Sequence, residues 1–160
     1  MSAPIPTPIG VGPAFHPPAL SRAVAAGAPV GGFRCGVGGT RFGVHVELFA
    51  AGRVVIVPAG IGVAPPWRRD GAYVRSGRCS YAARTREPTG VIEVSRPGLT
   101  LGDFFAIWGQ RLDRYRWGYV GGRRWRGQLA AIPLRRHAEI VLEVGPFIRP
   151  HTTFLFRKGI

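Results

Sequence analysis

The chain has few acidic residues, a single lysine and no asparagine. Its 160 residues include 8 Asp and Glu against 22 Lys and Arg, which gives a formal net charge of +14 at pH 7. Lys158 is the one lysine, so the other 21 basic residues are arginines. GC-rich coding favours arginine whatever the function, but a charge of this size attracts anions in either case. The composition is therefore compatible with an anionic partner, either nucleic acid or an acidic protein surface.

Long apolar runs and cysteines are also scarce. No stretch approaches the roughly 20 apolar residues that span a bilayer, which excludes a transmembrane helix. Two cysteines are too few for a scaffold built on disulfides. The N-terminal residues lack the basic segment and apolar run of a signal peptide. We therefore expect a cytoplasmic protein, or an exported one if the natural start lies upstream.

The composition favours one folded domain preceded by a tail. Hydrophobic residues make up 46% of the chain, enough for the core of a single domain of this length. Six prolines fall within residues 2–18, and residues 23–32 are rich in alanine and glycine without an apolar period. We predict a flexible tail over residues 1–32 and one domain over residues 33–160.

Most of this domain has the pattern of short antiparallel strands. Apolar and polar residues alternate along residues 43–49, and Ala51-Gly52 then makes a short turn. The same signals predict hairpins over residues 43–57, 79–94 and 117–126 and a last strand over residues 139–144. Residues 58–76, which are rich in proline and glycine, are predicted to form a long loop.

One segment has a convincing helical pattern. Thr100 is placed to cap the helix, with Asp103 three residues later. An apolar stripe follows at helical spacing: Leu101, Phe104, Phe105, Trp108 and Leu112. The predicted fold class is therefore α+β, with antiparallel hairpins packed on a single helix in a β-grasp-like arrangement.

Several ordered segments resemble a bacterial domain family of uncharacterised activity. They are HVELF at 45–49, VPAGIG at 57–62, CSY at 79–81, TGVIE at 89–93 and TLGDFFAIWG at 100–109. The resemblance covers roughly residues 33–160. Family members carry an HxHxHL strand and an LHTHD…GIIHIE hairpin, and histidines this dense on neighbouring strands imply a metal site.

This chain departs from the family at the histidines. The corresponding positions read Gly43, His45, Glu47, Arg84, Arg86 and Glu93, so one of six histidines is kept. Arginine does not ligate a cation. The resemblance therefore implies a non-catalytic binding or interaction module, without a cofactor, that has lost the metal site of its family.

His45, Glu47 and Glu93 are the weak candidates for a remaining site. One imidazole and two carboxylates make a sparse set of metal ligands. Alternatively, the three side chains line a solvated face of the sheet and pair with Arg84 or Arg86. We expect no tight metal site, because two fixed positive charges would stand beside it.

Residues 111–127 supply an alternative function. Arginines interleaved with aromatic residues hold single-stranded nucleic acid in many proteins. The candidates are Arg114, Arg116, Trp117, Arg123, Arg124, Trp125 and Arg126. Strand alternation offers the other interpretation, in which the aromatic residues face the helix and the arginines face water.

Cys35 and Cys79 both fall at conspicuous positions of the family. A disulfide between them would close a loop of about 45 residues and stabilise the fold by roughly 3–4 kcal/mol. In a cytosolic protein the two thiols would instead stay reduced.

Overall fold

The computed structural model describes residues 13–160. Two α-helices lie in this range: α1 (Arg22–Ala26) and α2 (Leu101–Trp108). The strands, in chain order, are β1 (Phe42–Ala50), β2 (Arg53–Val55), β3 (Val63–Ala64), β4 (Arg68–Asp70), β5 (Tyr73–Ser76), β6 (Cys79–Ser80), β7 (Ala83–Arg84), β8 (Val91–Val94), β9 (Trp117–Val120), β10 (Arg123–Arg124) and β11 (Glu139–Val144). Short 3-10 turns occupy Leu112–Arg114 and Leu129–Ala131.

One sheet forms the centre of the molecule. Its strand order is β10-β9-β11-β1-β8-β7, and β2 also pairs with β1. The central strands β1 and β11 run parallel, whereas all the other pairs in this sheet are antiparallel. Two small antiparallel pairs, β3–β6 and β4–β5, stand outside it. The fold is α+β with mainly antiparallel strands, as the sequence predicts.

Helix α2 forms where its capping signals predict it. The Thr100 hydroxyl accepts a hydrogen bond from the Asp103 amide at 3.3 Å, and the Asp103 carboxylate accepts one from the Thr100 amide at 2.8 Å. This reciprocal capping box satisfies two amides that the first turn leaves free. The helix ends before Leu112, because Gly109 adopts a left-handed conformation with φ of 79°.

The two faces of β1 have different roles. Val44, Val46 and Leu48 are buried in the main core, which α2 also joins with its apolar stripe. The alternate residues, which include His45 and Glu47, face the segment of residues 145–160, called here the C-terminal segment. The sheet thus separates an apolar layer from a polar layer that the C-terminal segment covers.

The predicted tail is wrong for residues 13–32, and residues 1–12 lie outside the described part of the chain. Val24 of α1 is fully buried in the core. The indole Nε1 of Trp108 donates to the Pro18 carbonyl at 2.9 Å, and the Phe15 amide donates to the Val54 carbonyl at 2.8 Å. These contacts are made by single side chains and by backbone groups. They do not require a periodic pattern of apolar residues, so the sequence does not predict them.

Two further differences concern short elements. Residues 58–76 are not one loop, because they contain β3 and the β4–β5 hairpin. The first strand of the predicted hairpin over residues 79–94 is divided into two: β6 pairs with β3, and β7 pairs with β8. Elements of two to four residues are too short for a periodic pattern to identify them. In the described part of the chain, neither helix has the length and apolar character that crossing a bilayer requires.

Candidate binding pocket

A cavity of about 240 Å³ lies between the β1–β2 hairpin and the C-terminal segment. Its polar lining residues are His45, Glu47, Glu139, His151, Thr89 and Thr153. Its other walls are mostly apolar, and they include Phe49, Val54, Val55, Val57, Phe154 and Leu155. A cavity of roughly 150 Å³ lined by apolar side chains is enough to bind benzene, so this one has room for a small organic molecule.

His45 is held on both ring nitrogens. Its Nδ1 lies 2.6 Å from Oε2 of Glu139, and its Nε2 lies 2.8 Å from the Thr89 carbonyl oxygen. Phe154 stacks on the imidazole, with the two ring centroids 3.7 Å apart. A carbonyl only accepts hydrogen bonds, so Nε2 carries the proton and a neutral ring accepts at Nδ1. Glu139 must then donate that bond, which requires it to be protonated.

The direction of both pKa shifts agrees with this arrangement. Burial lowers the pKa of His45 to about 4, and this effect outweighs the hydrogen bond to Thr89. Burial, and then the neighbouring Glu47 carboxylate, raise the pKa of Glu139 to about 10. At neutral pH the pair is therefore an uncharged imidazole bonded to an uncharged carboxylic acid.

Glu47 completes the polar end of the cavity. Its Oε2 lies 2.8 Å from Nδ1 of His151, which belongs to the C-terminal segment. The Glu47 side chain is 7% exposed and the His151 side chain 42%. His151 balances the carboxylate only when its own ring is protonated.

The contacts of His45, Glu47 and Glu139 are those of a hydrogen-bonded cluster. One ligand atom from each of His45, Glu47 and Glu139 lies within 4.8 Å of the others, a spacing that admits a cation in principle. The His45–Glu139 contact of 2.6 Å is, however, a hydrogen bond. Two ligands at about 2.0–2.1 Å from one tetrahedral ion stand about 3.3 Å apart, so the pair would have to separate. A cation at Nδ1 of His45 would leave the Nε2 bond to Thr89 in place, but Glu139 would have to lose its proton.

Glu93, the third residue of the predicted set, lies outside this cluster. It is on the same sheet face, opposite Gly43 rather than His45 in the strand register. Its carboxylate accepts a bond from Thr40 at 2.6 Å and pairs with Arg86 at 3.1 Å. The expected pairing with Arg86 is therefore present.

The expectation of a solvated face is wrong. His45, Glu47 and Glu93 are only 5%, 8% and 3% exposed, because the C-terminal segment covers them. The sequence pattern ends with the strand over residues 139–144, and nothing in residues 145–160 predicts this covering role.

Two members of the pocket were missed in the sequence. Glu139 stands opposite His45 because β1 and β11 pair in parallel, a contact between residues far apart in the chain. His151 lies in irregular structure, where no pattern predicts its neighbours. One available signal was the alternation along β11, which places Glu139 and Glu143 on the face opposite Ile140 and Leu142.

The predicted nucleic-acid residues lie on and around β9 and β10, at one edge of the sheet. The five arginines, Arg114, Arg116, Arg123, Arg124 and Arg126, are all exposed. The guanidinium carbons of Arg116 and Arg124 stand 5.1 Å and 4.2 Å from the ring centre of Trp117. Trp125 donates its Nε1 hydrogen to the Gln128 carbonyl at 2.9 Å. A base stacking on Trp117 would therefore have to displace an arginine.

Cys35 and Cys79 are joined by a disulfide, with their Cα atoms 5.4 Å apart. The bond connects the segment before β1 to β6. Neither cysteine lines the cavity that contains His45, Glu47 and Glu139.

No protein-family model matches the chain, and no curated protein or solved structure is significantly similar to it. The geometry of the pocket therefore supplies the grounds for a function.

Proposed function

We propose that the protein is a non-catalytic binding module whose ligand is a small molecule with an apolar body and one positively charged amine. The ligand occupies the cavity between the β1–β2 hairpin and the C-terminal segment. The observation that carries this proposal is the buried carboxylate of Glu47 in a mostly apolar cavity.

Charge and geometry select the amine. A buried carboxylate needs a cationic partner, because desolvation without one is unfavourable by several kcal/mol. The partner in the chain is His151, whose half-exposed ring is attached to an irregular segment. An ammonium group in place of this ring pairs a positive charge that persists at neutral pH with the Glu47 carboxylate. The apolar walls of the cavity contact the rest of the ligand.

The neighbouring imidazole supports binding rather than catalysis. His45 uses both nitrogens within the protein and is stacked on Phe154. A general base must reach the proton that it removes, and this ring has no free nitrogen with which to do so. Its role is to hold Glu139 and the floor of the cavity in place.

The test compares two probes of the same shape. Benzylamine is positively charged at pH 7, and benzyl alcohol is its neutral analogue. Calorimetry at about 0.15 M salt should show at least tenfold tighter binding of benzylamine, about 1.4 kcal/mol. Glu47→Gln should remove this preference and leave binding of the alcohol unchanged.

Asp113→Asn is the matched control, since it removes one exposed acid far from the cavity. It should bind both probes as the unaltered protein does. Equal binding of the two probes, or no binding of either, would overturn the proposal.

A second candidate function is binding of single-stranded nucleic acid by the exposed arginines of residues 111–127. In the described structure, Arg114, Arg116, Arg123, Arg124 and Arg126 form no ion pairs with acidic residues. Affinity for a single-stranded oligonucleotide should then fall steeply with salt. Arg114→Gln combined with Arg116→Gln should flatten that slope, whereas Arg135→Gln combined with Arg136→Gln should leave it unchanged. Weak binding with the same slope for both variants would count against this candidate.

We further propose that the architecture is β-grasp-like and that the chain is a histidine-depleted member of the family it resembles. Support for the first comes from the parallel central pair β1 and β11, with α2 between them in the sequence. The family membership is supported by the pairing of the strands. Glu93 stands opposite both Gly43 and Arg84, so these three positions, where family members carry histidines, share one face of the sheet.

A further inference from the structure

A second cavity, of about 310 Å³, lies between the segment preceding β1 and strands β6 and β7. Its polar lining consists of arginines and hydroxyl groups: Arg34, Arg84, Arg96, Ser80, Tyr81 and Ser95. No acidic side chain lines it in the part of the chain that the structure describes. The lining therefore combines three positive charges with no carboxylate of its own.

Arg84 is the unusual member, because its side chain is among the most deeply buried in the protein. It is 2% exposed. One terminal nitrogen donates to Ser80 Oγ at 3.1 Å and the Tyr81 carbonyl at 3.2 Å; the other donates to the Gly38 carbonyl at 3.0 Å and Thr40 Oγ1 at 3.4 Å. All four acceptors are uncharged. The remaining donor, Nε, is buried and has no hydrogen-bond partner among residues 13–160.

The nearest acid by strand register makes no direct ion pair with Arg84. Glu93 stands opposite it across β7 and β8. The Glu93 carboxylate instead pairs with Arg86 at 3.1 Å and Arg157 at 3.6 Å. It reaches Arg84 only through the Thr40 hydroxyl, which donates to Glu93 and accepts from Arg84. Since buried charges are normally paired, a guanidinium in this position calls for an anion from outside the chain.

We propose that this cavity binds the phosphate group of a small phosphomonoester. The guanidinium forks of Arg34 and Arg96 match the geometry of phosphate oxygens, and Arg84 adds its Nε hydrogen. Three positive charges favour a dianion over a singly charged carboxylate. Arg84 forms the floor of the cavity. Arg34 and Arg96 are exposed at its rim and contact the phosphate from the solvent side. The Ser80 hydroxyl, which accepts from Arg84, has its own hydrogen left to donate. The disulfide between Cys35 and Cys79 fixes the glycine-rich wall of the cavity to β6.

The test compares a phosphomonoester with a phosphodiester. Glycerol 3-phosphate is mostly dianionic at pH 7.5, because its second pKa is about 6. Dimethyl phosphate is a monoanion that resembles the backbone of a nucleic acid or a lipid headgroup. Titration at about 0.15 M salt should give at least tenfold tighter binding of glycerol 3-phosphate.

Two double variants with the same loss of charge complete the experiment. Arg34→Gln with Arg96→Gln changes exposed rim residues, so it should fold normally and weaken binding of glycerol 3-phosphate at least tenfold. Arg135→Gln with Arg136→Gln, which change exposed residues that do not line this cavity, should change it less than twofold. Arg84→Lys keeps the charge but removes the Nε donor, and should also weaken binding.

Three results would overturn the proposal. They are equal affinity for the monoester and the diester, the same loss of affinity in both double variants, and no binding of glycerol 3-phosphate. The first two would show that the overall positive charge, rather than a built site, attracts the anion.

Discussion

Four of the eight acidic residues are buried on one face of the sheet, and they tolerate burial in different ways. Glu93 pairs with Arg86, and Glu143 accepts the Ile148 amide. Glu47 has the partly exposed ring of His151. Glu139 has no cationic partner, so it keeps its proton and donates to His45 instead. Its neutrality is what allows the carboxyl group to lie beside Glu47 in the same small space.

Glu139 should make the stability of the protein fall as pH rises. Burial and the neighbouring Glu47 carboxylate raise the pKa of Glu139 from 4.5 to about 10, so the folded state binds this proton more tightly than the unfolded chain does. Its contribution is complete below about pH 4.5 and is lost as pH rises through the folded pKa, by up to about 1.4 kcal/mol per pH unit. Glu139→Gln keeps a neutral donor and should flatten this slope in urea unfolding between pH 5 and 9.

The exposed Asp70 provides the comparison for this experiment. Asp70→Asn should retain the slope of the unaltered protein. If Glu139→Gln showed an unchanged slope as well, the carboxyl group would be ionised in the folded state and the hydrogen-bond assignment of His45 would be wrong.

Zinc should not bind this cluster with sub-micromolar affinity. Binding would require the His45–Glu139 bond to break and Glu139 to lose its proton. It would also add a cation to a strongly positive molecule. Calorimetry with zinc on the full chain checks this expectation. One tightly bound equivalent that disappears in His45→Ala would contradict it.

At the scale of elements, the predictions succeeded where the signal is local. Thr100 and Asp103 define the start of α2 by their own contact, and strand alternation placed His45 and Glu47 on one face. Glu139 was missed because the parallel pairing of β1 with β11 depends on the whole chain. Helix α1 was missed because five residues with one buried side chain, Val24, do not produce a period.

Trp108 tests the packing of α2, because it joins the helix both to the core and to the N-terminal residues. The side chain is 2% exposed, and its Nε1 donates to the Pro18 carbonyl. Trp108→Ala should lower the free energy of unfolding by about 3–5 kcal/mol, since it leaves a large cavity. Trp108→Phe should lower it less, because it fills most of the space but loses the hydrogen bond. A loss below about 1 kcal/mol for the alanine variant would show that the helix packs differently.

At the scale of the whole molecule, acidic side chains are buried against the sheet more often than basic side chains, most of which are exposed. Half of the acids lie under the C-terminal segment, whereas among the arginines and lysine of residues 13–160 only Arg84 is buried. The outer surface is therefore more basic than the composition alone indicates. Both proposed pockets follow from this separation of charge, since one encloses a carboxylate and the other encloses a guanidinium with no carboxylate in the cavity lining.

The disulfide should account for a large part of the stability of this arrangement. It links two cysteines 44 residues apart, and the loop that it closes contains β1 to β5. In the chain-entropy model, such a loop restricts the unfolded chain enough to stabilise the folded state by roughly 3–4 kcal/mol. Cys35→Ala combined with Cys79→Ala should lower the free energy of urea unfolding by about that amount, and a reductant should lower that of the unaltered protein similarly.

The reductant should have no further effect on the double variant, which isolates the contribution of this bond. Because the same bond fixes one wall of the arginine-lined cavity, glycerol 3-phosphate should bind the double variant more weakly even where it remains folded. A change below about 1 kcal/mol would show that the unfolded chain is compact enough for the cross-link to restrict it little.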